Sequence, residues 1–96
     1  MKVSQFIEVS TAILKEFGLR VTSNVNPLGK IETCTVDFDG GSILGRFTYW
    51  ETGAIGVEVL NVNTSDLVWS DDTEVHSPTQ IKELVQRMQS GTTSEL

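Results

Sequence analysis

The sequence predicts an α+β domain: an N-terminal helix, a five-stranded antiparallel meander and a C-terminal helix, with both helices on one face of the sheet. Three observations carry this. Apolar residues recur at helical spacing near both ends of the chain, they alternate at strand spacing through the middle, and short turn signals separate the alternating runs. With 96 residues there is room for one core, because a domain this small buries only about 60 to 65% of its unfolded surface. Residues 1–91 are expected to form that single domain, and 92–96 a flexible polar tail.

The first helix is expected over residues 3–17, since Phe6, Val9, Ile13 and Phe17, flanked by Ile7 and Leu14, recur at intervals of three and four. Ser4 is its candidate N-cap, and Gly18 suits the left-handed residue that ends many helices. LRVTSNV, residues 19–25, reads as a first strand with Leu19, Val21 and Ser23 on one face, stopped by the turn signal NPLGK. IETCTVDF, residues 31–38, is the second, closed by Asp39-Gly40-Gly41, where glycine accepts the positive φ of a tight hairpin. In the third, Ile43, Gly45, Phe47 and Tyr49 share one face and Leu44, Arg46, Thr48 and Trp50 the other. Glu51-Thr52-Gly53 turns the chain, after which Ile55, Val57 and Val59 stand opposite Ala54, Gly56, Glu58 and Leu60. Beyond the turn-rich NVNTSD, DLVWSDDTEV supplies a fifth strand with Leu67 and Trp69 on the same face. Ser77-Pro78-Thr79-Gln80 combines an N-cap, a proline at the first helical position and a glutamine three residues after the cap. Ile81, Leu84, Val85 and Met88 then make the apolar stripe of the last helix, which Ser90-Gly91 ends.

A composition of 39% hydrophobic and 21% charged residues is that of a folded soluble protein. No apolar run approaches the roughly 20 residues of a membrane span. The first 17 residues alternate polar and apolar groups where a signal peptide would have a solid apolar block, so a cytoplasmic protein is expected. Cys34, the single cysteine, allows no intramolecular disulfide and reads as a small buried hydrophobe. The charge is unevenly spread. Residues 1–36 carry a net +1 and the last twenty are balanced, whereas residues 37–76 set eight carboxylates against Arg46 alone, so the net −6 arises in the middle of the chain. Such a field repels nucleic acid and anionic membranes and speeds encounter with basic partners.

Chemistry for catalysis is sparse. His76 adjoins the helix cap at Ser77, which favours a structural role, and nothing in its spacing from Cys34 predicts that the two meet. Asp71, Asp72 and Glu74 lack the glycine and spacing of a calcium loop. The glycines of DGG and GAIG do not form a phosphate loop, and the basic residues are too scattered for nucleic acid. No metal or cofactor is expected, and a binding module is the better class.

Residues 46–69, RFTYWETGAIGVEVLNVNTSDLVW, resemble the central signature of the TriTu immunity proteins, antidotes of bacterial contact-dependent growth inhibition systems. The likeness lies in YWETG at 49–53, VEVLNV at 57–62 and LVW at 67–69, with an amphipathic helix and Gly18-Leu19-x-Val21 before them and a short helix after a serine. The resemblance implies a cytoplasmic protein that binds the C-terminal toxin domain of a large secreted effector. In related systems that domain is a nuclease acting on transfer RNA, in some cases with elongation factor Tu in the complex.

The interface is expected on the acidic middle: Asp37, Asp39, Glu51, Glu58, Asp71, Asp72 and Glu74, with Trp50 as either an aromatic anchor or a cover over the sheet's second face. Charge reversal at Asp71 and Asp72 is expected to slow association. A second reading is an acidic adaptor of the secretion-chaperone kind that binds a basic partner; such chaperones present apolar grooves as dimers.

Overall fold

The computed structural model describes residues 1–28 and 31–92. Helix α1 (Val3–Glu16) precedes strands β1 (Arg20–Leu28), β2 (Ile31–Gly40), β3 (Ile43–Trp50), β4 (Ala54–Asn61) and β5 (Leu67–Glu74), and helix α2 (Pro78–Gly91) closes the chain. Each strand pairs antiparallel with its sequence neighbours in the order β1-β2-β3-β4-β5, the meander that short turns favour. Among the described residues no helix is long and apolar enough to cross a membrane.

α1 ends on Gly18, at φ +81°: the Gly18 N–H donates to Lys15 O at 2.9 Å and the Leu19 N–H to Leu14 O at 3.2 Å, a Schellman closure. Its start differs from expectation. Lys2 occupies the N-cap without a side-chain cap bond, because the helix reaches back far enough to bury Val3, and Ser4 falls inside the first turn. At α2, Ser77 Oγ accepts from the Gln80 N–H at 3.3 Å, as the cap motif predicts. Gln80 Oε1 reaches past the cap and accepts from the His76 N–H at 2.6 Å. Thr92 closes this helix, its buried hydroxyl donating to Met88 O at 2.9 Å, so the residue expected to begin the polar tail is packed; residues 93–96 lie outside the described residues. Gly91 belongs to the helix, and it admits Trp69: a Cβ there would lie 2.3 Å from the indole.

The alternation places the core as predicted. Val36 and Phe38 of β2, Ile43, Phe47 and Tyr49 of β3, and Ile55, Val57 and Val59 of β4 are buried with Phe6 and Leu14 of α1 and Ile81, Leu84, Val85 and Met88 of α2. Both helices therefore cover one face. Phe6 stacks on Tyr49 with centroids 4.2 Å apart and meets Phe47 edge-on, and the Tyr49 hydroxyl donates to Met1 O at 2.9 Å. Gly45 leaves its side-chain space to the Phe38 ring, which a Cβ would approach to 2.3 Å. The turns behave as read: Gly41 takes φ +56° and Gly53 φ +103°, with the Gly53 N–H donating to Trp50 O at 2.9 Å.

Two strand details depart from the sequence reading. β1 continues through the expected stop, pairing Pro27 with Glu32 and Leu28 with Ile31; it is an edge strand, where a proline removes no ladder bond that the sheet needs. The remainder of the NPLGK turn, Gly29 and Lys30, lies outside the described residues. In β5 a register shift opposite Val59 and Leu60 pairs Trp69 with Val59 but Leu67 with Leu60. Leu67 and Trp69 thus lie on opposite faces, against the expectation from their spacing, because the bulge inserts Val68 between them.

Candidate functional site

Among the described residues no element covers the face of the sheet away from the helices, and register orders that face into rows. Asp39, Leu44, Leu60 and Leu67 form the first; Asp37, Arg46, Glu58 and Ser70 the second; Thr35, Thr48, Gly56 and Asp72 the third. Trp50, 37% exposed, and Glu74, opposite Ala54, occupy the far end. A depression of about 410 Å³ lies in the middle, bordered by Arg46, Trp50, Glu58, Leu67 and Asp72 and passing over Gly56. A Cβ on Gly56 would come within 3.2 Å of Asp72 Oδ1, so the missing side chain is what opens the floor.

The expected site residues fall into distinct groups. Asp37 accepts both Nε and Nη2 of Arg46, at 2.6 and 3.1 Å, across the β2–β3 ladder. That bidentate bond, then the Asp37 charge, then the Glu58 charge hold the Arg46 guanidinium above its usual pKa. Asp39 pairs with Arg20 at 2.6 Å on the same face. Asp71 does not share the face: it lies opposite Val57, on the helix side, and accepts from Arg87 of α2 at 3.1 Å. Glu74 meets His76 Nε2 at 3.2 Å. Glu51 sits exposed in the β3–β4 turn. Glu58 and Asp72, also exposed, make no hydrogen bond or ion pair through their carboxylates among the described residues. The acidic set is therefore divided: arginines bond Asp37, Asp39 and Asp71, while Glu58, which feels Arg46 across the ladder, and Asp72 border the depression with no ion pair among the described residues.

The groups that enzyme chemistry would need are placed elsewhere. Cys34 is fully buried, and desolvation pushes its thiol up to about 11, so it stays protonated at neutral pH. His76 is exposed and its ring lies over Gly53, where a Cβ would come 2.1 Å from Cε1. Among the described residues no three His, Cys, Asp or Glu side chains are grouped to hold a metal ion.

The open face thus presents an aromatic and exposed carboxylates. The family model described as Immunity protein TriTu matches residues 2–90. The chain belongs to the TriTu immunity family. A match of that extent takes in α1, every strand and all of α2 but Gly91. Membership in TriTu gives the protein a toxin as partner and the neutralising of that toxin as its function. A search of curated proteins finds no match.

Sequence reasoning missed three features of this TriTu face. Gly56 was read only as a strand position, although its opening depends on Asp72 from the next strand. The leucine row needs Leu67, which the bulge turns outward without any signal in the spacing. The arginine partners of Asp37 and Asp39 are set by register, and a search for basic residues at matching strand positions would find both; Arg87, which draws Asp71 to the helix side and off this face, depends on helix packing.

Proposed function

We propose that this protein neutralises the C-terminal domain of a contact-dependent growth inhibition toxin, a nuclease that cleaves transfer RNA, by laying the open face of its sheet on the toxin's basic surface. A nuclease that holds RNA concentrates positive charge where the phosphates lie. Carboxylates presented there complement that charge and occlude the substrate, so the inhibitor acts by binding and needs no catalytic group. It works in the bacterial cytoplasm, where the transfer RNA is, with elongation factor Tu, present in some related complexes, as a candidate third member; the immunity protein itself contacts neither nucleic acid nor membrane. The interface residues on this reading are Trp50, Glu51, Glu58, Asp72 and Glu74, with Asp37 and Asp39 at the margin through their arginine pairs.

The observation that carries the proposal is the placement of Glu58 and Asp72, without ion-pair partners among the described residues, around a depression that Trp50 borders. The test is a transfer RNA cleavage assay with the toxin domain from the adjoining gene. One equivalent of the immunity protein is expected to stop cleavage, with association that weakens as salt rises. A pair that stays unassociated at low salt would overturn the proposal.

A further inference from the structure

The open face combines two kinds of surface. Leu44 and Leu67 are 47% and 57% exposed and flank the half-buried Leu60 across three adjacent strands. Unbroken alternation would send Leu67 toward α2 beside Trp69; the bulge at Val68 turns it outward and completes the row. Bulges commonly re-aim a side chain at a binding surface, and a contiguous exposed apolar row on a small soluble domain marks a contact surface.

Beside this row the depression over Gly56 has carboxylates on two sides, Glu58 and Asp72, and the Trp50 indole at its border. Arg46 also lines the depression and shares its field with Glu58, but it gives two nitrogens to Asp37, so one cation set against Asp37, Glu58 and Asp72 leaves a net charge of −2 there. A planar guanidinium on a methylene stem matches such a place: its fork reaches two carboxylates, its face accepts an aromatic, and its stem tolerates apolar walls. Charge and shape therefore select one occupant, a protein surface that presents an arginine next to an apolar side chain.

We propose that the toxin places an arginine in the Gly56 depression between Glu58 and Asp72 and seats an apolar side chain on the row Leu44, Leu60 and Leu67. This rests on the toxin-binding reading above and specifies how the face is used. Titration calorimetry with a catalytically inactivated toxin domain tests it, comparing wild type, Gly56→Val, which fills the floor, and Leu67→Ser, which breaks the row. Wild type is expected to bind and each variant to bind at least tenfold more weakly, with melting midpoints close to wild type. Amide shifts of labelled wild-type protein on adding the same domain are expected at Gly56, Leu67 and Asp72, a readout that stands even where a variant does not fold. Binding by wild type with both variants unimpaired, or amide shifts confined to the helices, would overturn the docking mode and leave toxin binding intact. Absence of any wild-type binding would overturn the toxin reading and this mode together.

Discussion

Asp71 and Asp72 are consecutive, yet they serve opposite faces of the sheet: Asp71 accepts from Arg87 Nη2 at 3.1 Å on the helix side, while Asp72 borders the open depression with no ion pair among the described residues. By sequence alone the two read as one acidic pair. A strand alternates its side chains, so a charge doublet in β5 can present only one member to a partner.

Single charge changes should therefore separate them. Asp72→Lys is expected to slow association with the toxin domain by about tenfold at low salt, an effect on encounter. Asp71→Asn is expected to leave the rate nearly unchanged and to cost at most about 1 kcal/mol of stability, the usual worth of an exposed ion pair. Stopped-flow association and urea unfolding of the two variants give the comparison, and a slower rate for Asp71→Asn alone would place the interface on the helix side.

Trp50 is 37% exposed, enough buried to be held and enough open to be covered by a partner. Trp50→Ala is expected to weaken toxin binding by about 2 kcal/mol, roughly thirtyfold, in the range of an aromatic anchor. Calorimetry measures this, and a wild-type dissociation constant would assign Trp50 to the cover role.

Gly45 tests the core. Its absent side chain admits the Phe38 ring, which a Cβ would meet at 2.3 Å, so Gly45→Ala is expected to destabilise the domain by about 1 to 3 kcal/mol as an overpacked site. The urea midpoint should fall with the slope unchanged.

Burial raises the Cys34 thiol from 9.0 to about 11. The folded state then holds its proton more tightly than the unfolded state. The associated stability is fully present below pH 9.0 and lost as pH rises through about 11, on the order of 2 kcal/mol. Cys34→Ala lacks this contribution, so the stability gap between wild type and variant is expected to narrow across that window. A constant gap from pH 8 to pH 11, by urea unfolding at each pH, would contradict the assignment.

What could be read in advance followed from local pattern. Phe47 and Tyr49 were assigned inward and Trp50 outward by alternation alone, and Gly18, Gly41 and Gly53 marked their turns because a positive φ is costly for any other residue. The site was legible only in part. Its carboxylates are visible in the composition, but which of them form ion pairs depends on Arg20, Arg46 and Arg87 arriving from other elements. Leu67 was misplaced because a bulge is a property of two paired strands, and neither strand announces it. Pro27 misled in the other direction, since its effect depends on whether the strand is at an edge.

Toxin neutralisation by two charge-matched variants tests whether the open face is the interface. One carries Glu58→Lys and Asp72→Lys on the open face; the other carries Glu8→Lys and Glu83→Lys, both exposed on the helices. The open-face variant is expected no longer to protect transfer RNA from the toxin domain, while the helix-side variant protects as wild type does. Full protection by the open-face variant, with loss of protection by the helix-side one, would contradict it.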